Sequence, residues 1–226
     1  GKSVEAHTHH PAGSAGSLCY NCHMPHTSFA LLRAIRSHRI DSPSAASRAA
    51  SGRPNACNLC HLDQTLDWTA RTLNTWYGTE KPKLAPLQRE VAASVLWALG
   101  GDAAQRAVTA WHMGWEPAIK ASSSLHWQPP FLATLFEDPY AVVRHVAWKS
   151  LSRFPGFENL EFDYIGPLSA RRAMKQRVLS SWKQRSGSRV TEPVGPLLLE
   201  PGGRLQRPRF QDLLNSRDDR AVEILE

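Results

Sequence analysis

FLATLFEDPYAVVRHVAWKSL, residues 131–151, reads as two helices hinged at one turn. Asp138-Pro139 supplies the turn, and the second helix then carries Val-Arg and small Ala residues. Small residues let paired helices approach while large ones fill the space between them, and one such pair has too little core to stand alone. A related pattern lies upstream. REVAASVLWALGG (89–101) aligns with RHVAWKSLSRFPG (144–156) as Arg-x-Val-Ala-x-x-x-Leu-x-x-apolar-x-Gly. The offset of 55 residues exceeds the ordinary period of helical-hairpin repeats, and the Ser-rich KASSSLHWQPP (120–130) reads as the insertion that lengthens it.

The 131–151 unit resembles a HEAT repeat, which implies stacked helical hairpins. Before it, DQTLDWTARTLNTWYG (63–78) places Leu66, Ala70, Leu73 and Trp76 or Tyr77 on one face and stops at Gly78, so it predicts a helix. Pro82 and Pro86 mark a linker and the start of the next helix. His112, His126 and His145 fall in the helical region and read as structural. Beyond residue 185, Gly and Pro recur among short apolar patches, the pattern of an extended arm lying over a surface. Within it EPGGRL predicts a small hairpin and RPRFQDLLNSR a short helix.

The chemistry lies nearer the start. All four cysteines of the chain belong to two pentapeptides, CYNCH (19–23) and CNLCH (57–61). A C-x-x-C pair serves a redox disulfide, half of a zinc site, or covalent attachment of haem. Only the haem case fixes the next residue: Cys19 with Cys22, and Cys57 with Cys60, form thioethers to the porphyrin, and His23 and His61 reach the irons as proximal ligands. A zinc ribbon could use the same four thiolates, but it requires no His at 23 or 61. With ten histidines in 226 residues, two such placements arise by chance about once in five hundred trials. The motifs therefore predict two c-type haems.

Each iron needs a sixth ligand unless it is catalytic. Near the motifs lie His7, His9, His10, His26 and His38. His26 follows His23 too closely to reach the far side of the same haem. His38 lies in RAIRSHRI (33–40), read as a helix, and is expected to cap one iron. His10 or His9 is expected to cap the other, with His7 serving a third haem or standing unligated. Met24 directly follows His23 and would have to double back, so bis-His ligation at low potential is expected. Met113 and Met174 read as core residues.

CYNCHMPHT, with HTHH before it and SHRI after it, resembles the multihaem cytochrome c superfamily that includes the pentahaem nitrite reductases and related electron carriers. The resemblance covers about residues 7–77. It implies closely packed haems, mostly bis-His ligation and a periplasmic location. The resemblance favours a multihaem reductase or oxidase of nitrogen or sulfur compounds as the alternative, but those reductases bind their catalytic haem through C-x-x-C-K, and its absence here weighs towards an electron carrier, the leading expectation.

The formal charge of +7 concentrates over 171–189, where seven Lys and Arg residues meet no acidic residue. That run reads as a solvated helix and loop, with an acidic docking partner as the alternative. No nucleic-acid-binding motif accompanies it, and no run of eighteen apolar residues suggests a transmembrane segment. The first residues lack the pattern of a signal peptide, as expected of a processed chain or of the remainder of a longer one, and HTHH leaves room for a haem-bearing segment upstream. Because c-type haem is attached outside the cytoplasm in bacteria, a periplasmic or extracellular location is expected. Redox partner proteins or further haem-bearing segments are the expected partners. The overall expectation is a mainly α chain: a loop-rich dihaem c-type cytochrome module over 1–80, HEAT-like helical hairpins over 81–185 and an extended C-terminal arm over 186–226.

Overall fold

The computed structural model describes residues 3–46, 52–122 and 125–220. Two serines of the Ser-rich insertion and the last six residues of the C-terminal arm lie outside the described residues. The architecture is mainly helical. In chain order the helices are α1 (Val4–Thr8), α2 (Cys19–His23), α3 (Ala56–Cys60), α4 (Leu66–Tyr77), α5 (Pro86–Glu90) and α6 (Ala93–Gly100). They continue with α7 (Ala103–Met113), α8 (Glu116–Ala121), α9 (Pro129–Thr134), α10 (Ala141–Leu151), α11 (Leu168–Arg185) and α12 (Arg207–Asn215). Two antiparallel hairpins join them, β1 (His26–Phe29) with β2 (Arg33–Arg36), and β3 (Leu199–Glu200) with β4 (Arg204–Leu205).

Local chemistry sets the helix ends. The α7 start is a reciprocal capping box: the Asp102 carboxylate accepts from the Gln105 N–H at 2.8 Å, and the Gln105 amide oxygen accepts from the Asp102 N–H at 2.9 Å. Helix α4 begins on Thr65, whose hydroxyl accepts from the Trp68 N–H, and ends on Gly78 at φ 66°, a left-handed cap that glycine enters without a Cβ clash. Its Leu66, Ala70 and Leu73 are buried, as the sequence pattern requires.

The 131–151 unit folds as α9, a 3-10 turn over 135–137, and α10. Its hinge is tied down by charge. Asp138 is fully buried against Arg106 of α7 (Nε–Oδ2 2.6 Å), and the same guanidinium donates to the carbonyls of Gly101 and Asp218. Arg144 of α10 donates back to the Asp138 and Pro139 carbonyls at 2.6 and 2.9 Å. Helix α10 packs on α7, α6 on α7, and α11 on α9. The approach is close where α7 ends: a Cβ on Gly114 would stand 2.6 Å from the Ser150 Cα.

The two aligned stretches do not occupy equivalent places. In the second, 144–151 is continuous α10. In the first the chain breaks between α5 and α6, where Val91 is extended (φ −111°, ψ 141°) and the Ala92 N–H donates to the Pro196 carbonyl. Arg89 is exposed while Arg144 is buried.

One principal core runs from Leu62 to Leu213, crossing both expected boundaries near 80 and 185. Trp127, Phe131, Phe136 and Phe154 lie at its centre. The C-terminal segment is not merely draped over this surface: Leu197, Leu198 and Leu199 enter the core, because three consecutive leucines cannot all face water at low cost. Its β3–β4 hairpin and α12 match the expected turn and helix. Helix α11 buries only Val178 and Trp182 and carries the basic run; Arg172 and Lys175 pair with Glu137 at 3.1 Å each.

The segment 33–40 departs from its expected helix. Residues Arg33–Arg36 form β2, with Ile35 opposite Thr27 and Arg36 opposite His26. The cause lies in Arg36, which donates to the Tyr20 and Met24 carbonyls and to the Asn21 side chain at 2.8–3.0 Å. A cation is favourable at the carbonyl end of a helix, so these bonds staple the hairpin to α2. Helix α2 in turn rests on α3, and α3 on α8.

Candidate functional site

Each C-x-x-C-H pentapeptide makes one helical turn. The spacing sets both cysteines on one face, three residues apart, and leaves the histidine at the turn's end. Asparagines inside the motifs hold these short turns. In the first, the Asn21 amide donates to the Ala15 carbonyl at 2.8 Å and its oxygen receives Arg36. In the second, fully buried Asn58 donates to the Gln64 and Thr65 carbonyls and accepts from Thr69 and Asn55. Asn55 also caps α3, accepting from the Asn58 N–H at 2.9 Å.

None of the four cysteines forms a disulfide. Burial raises the Cys57 thiol to about 12 and the Cys60 thiol to about 11, with the neighbouring Cys22 adding to both. Cys22 is raised by burial and then by Cys19. These three thiols therefore stay protonated at neutral pH, which disfavours thiolate oxidation. They line one narrow cleft that is partly open to solvent and encloses about 50 Å³. Trp68, Trp76, Trp115 and His112 contribute to its walls.

The motif histidines each face a second imidazole. His23 faces His7 with ring centroids 6.1 Å apart and planes within 5° of parallel. His61 faces His10 at 6.0 Å and 33°. Two imidazoles on opposite sides of one metal ion, bonded at about 2.0 Å each, place their centroids roughly 6.3 Å apart. Orientation agrees with that spacing. The His23 Nδ1 lies 2.9 Å from the Asp41 carbonyl and the His10 Nδ1 lies 2.6 Å from the Thr8 carbonyl. A carbonyl only accepts, so each Nδ1 carries the proton and each Nε2 keeps its lone pair free, the arrangement that metal-ligating histidines use.

His7 and His10 come from α1 and the residue pair after it. Between them His9 adopts φ 54°, ψ 28°, ending the helix and turning the chain. The His9 ring lies 4.2 Å from Trp76 at 10°, and the Tyr77 hydroxyl donates to the His7 carbonyl. His38, expected at an iron, sits exposed on the bend after β2, and no described ring lies against it. The structure thus brings His7 and His10 to the motif histidines, and it brings neither His38 nor His9 there.

The remaining histidines pack on aromatic rings. His26 lies 4.4 Å from Trp111, and burial, then Arg36, lowers it to about 4. His112 is buried with its Nδ1 2.8 Å from the Val108 carbonyl; burial lowers it to about 3. His61 is lowered by burial and then by His10. His145 stands edge-on to Tyr164 at 4.8 Å.

The residues fit a haem better than a zinc ion. Zinc in a structural site takes four donors at one point, and among the described residues no group of three or more His, Cys, Asp or Glu is so gathered. Haem iron needs only an axial pair from the chain, and two such pairs stand beside two thiol pairs. Sequence reasoning had no signal for Asp41 as the partner of His23, since a backbone carbonyl leaves no mark on residue type. Trp76 and Tyr77 were visible as helix-face residues, but their contact with the 7–10 segment was not. Comparison of the chain with protein-family models, with curated proteins and with solved structures found no match.

Proposed function

We propose that this chain carries two covalent c-type haems and transfers electrons through them outside the cytoplasm, as part of a larger multihaem protein or complex. Cys19 and Cys22 would hold one haem and Cys57 and Cys60 the other. His23 and His7 would be the axial ligands of the first iron, His61 and His10 those of the second. The observation that carries this reading is the twin imidazole spacing of 6.1 and 6.0 Å at the two motif histidines. The haems supply one-electron redox chemistry when bound. The chain's own part is to orient the His23 and His10 imidazoles through backbone carbonyls, to exclude water with tryptophans, and to fix the separation of the two sites. Helices α6, α7 and α8 pack on α3 and back the second motif, α3 backs α2, and the α9–α10 pair, read as HEAT-like, packs on α7 behind them.

Support for a carrier rather than a reductase or oxidase comes from the same pairs. Each motif histidine faces a second imidazole, which leaves no coordination position for a substrate. The basic face of α11 suits an acidic redox partner, because cationic patches speed encounter with anionic surfaces. A pyridine haemochrome assay with EPR of the oxidised protein tests the proposal. Two c-type haems per chain, both low-spin, are expected. A high-spin haem that responds to nitrite or hydroxylamine would move the assignment to an enzyme, and a haem-free protein with bound zinc would overturn it.

A further inference from the structure

Only Thr8 and His9 separate the imidazoles that face two different motif histidines. His7 lies in the last turn of α1, His9 turns the chain in the left-handed region at φ 54°, and His10 leaves in a new direction. A side chain with a Cβ enters that conformation less readily than glycine, and beside the His9 N–H bond to the Glu5 carbonyl the turn is backed from outside the segment. The contacts come from the last turn of α4. Trp76 lies against the His9 ring at 4.2 Å and 10°, and its edge reaches the His10 ring at 6.2 Å. Tyr77 stands edge-on to His9 at 5.7 Å and donates its hydroxyl to the His7 carbonyl. Helix α4 is itself keyed to the second motif, because Thr69 of α4 donates to buried Asn58 at 2.7 Å. A continuous line of contacts therefore runs from the second motif, through α4, to the segment that presents both distal imidazoles.

We propose that the His9–Trp76 stack is a positioning clasp that sets the axial ligation of both irons at once. This rests on the reading that His7 and His10 are the distal ligands. His9 then acts as a flat ring rather than as a nitrogen donor, and neither His9 nor Trp76 touches an iron. Releasing the clasp lets the left-handed turn relax, and both imidazoles leave their partners together. Two irons that share one short strap lose their sixth ligands as a unit, whereas irons with independent straps would lose them separately.

The test uses four variants of the haem-loaded chain, His9→Ala, His9→Phe, Trp76→Ala and Trp76→Phe. Haem content is read by pyridine haemochrome, ligation by EPR and the visible spectrum, and exposure of the 3–10 segment by limited proteolysis of the same samples. With two low-spin haems in the parent protein, His9→Ala and Trp76→Ala should each convert both haems to high-spin while keeping two haems per chain. Cleavage near residues 3–10 should rise at least tenfold in the same samples. His9→Phe and Trp76→Phe should restore low-spin spectra and protection, because the stack needs a ring and not a nitrogen. Both haems remaining low-spin in the alanine variants would overturn the clasp. So would the loss of a single haem's ligand in His9→Ala with no rescue by His9→Phe, since that outcome makes His9 itself a ligand. A parent protein without c-type haem would refute the functional reading instead, and the haemochrome of the unmutated chain separates that failure from failure of the clasp.

Discussion

His10 and His38 illustrate how much a single residue's setting decides. Both lie within twenty residues of a C-x-x-C-H motif, yet His10 faces His61 across 6.0 Å while His38 points from an exposed bend. The ligand reading makes a selective prediction. His10→Ala should leave one high-spin haem of two and His7→Ala the other, and His38→Ala should leave both low-spin; EPR of the oxidised proteins distinguishes these outcomes. Asn58 is the second residue on which the site depends. It makes four side-chain hydrogen bonds with no water access, and Asn58→Ala would strand the Thr69 hydroxyl and the Asn55 amide donor, while the Gln64 and Thr65 carbonyls each keep a backbone N–H. Each stranded group costs about 1 kcal/mol or more. A loss of about 2–4 kcal/mol is expected in urea unfolding, with α3 and the second motif affected first.

At the scale of elements, the legible parts were those whose signal is local. Periodicity and Gly78 gave α4 its range, and Asp138-Pro139 gave the hinge between α9 and α10. EPGGRL gave the β3–β4 hairpin for the same reason. The segment 33–40 was not legible, because its strand depends on Arg36 reaching carbonyls of α2 more than ten residues away. Likewise the candidate ligands were legible as a set, since histidine content shows in the sequence, but not as pairs. Pairing depends on the turn at His9 and on a tryptophan that enters from α4. The same dependence on distant partners governs how the helices lock together. Arg106 of α7 joins the Asp138 hinge to the Gly101 and Asp218 carbonyls, with no exposure of its own side chain. Arg106→Leu would leave the Asp138 carboxylate buried without its cation, which costs about 3–5 kcal/mol. The double variant Arg106→Leu/Asp138→Leu should recover much of that loss, because it removes both charges from the interior. Thermal denaturation of the two variants beside the parent chain measures the difference.

For the whole molecule, the core that runs from Leu62 to Leu213 reaches the end of the second motif, so a group that titrates at this junction bears on the stability of the helical region and of the motif beside it. His112 is such a group. It sits on α7 beside His26, lines the cleft shared by the two motifs, and is buried with its pKa lowered to about 3 from an ordinary 6.5. Burial is the main cause; the hydrogen bond to the Val108 carbonyl opposes it, while the nearby charges of His26 and Arg36 add to it. The sign of the pH effect follows from proton counts. Above pH 6.5 the ring is neutral in both folded and unfolded chains, and stability does not depend on it. Between 6.5 and about 3 the unfolded chain takes up a proton that the folded chain refuses, so stability falls as pH falls, with a limiting slope of about 1.4 kcal/mol per pH unit. His26, lowered to about 4, acts in the same direction, but its greater exposure makes its share smaller. Urea midpoints at pH 7.0, 6.0 and 5.0 should therefore decline with an increasing slope, in a window where ordinary carboxylates remain ionised. His112→Phe removes the titration while keeping a ring of similar shape in the junction. Its stability should decline less steeply from pH 7 to pH 5, leaving mainly the contribution of His26, and an unchanged slope would show that His112 already carries a proton in the folded protein.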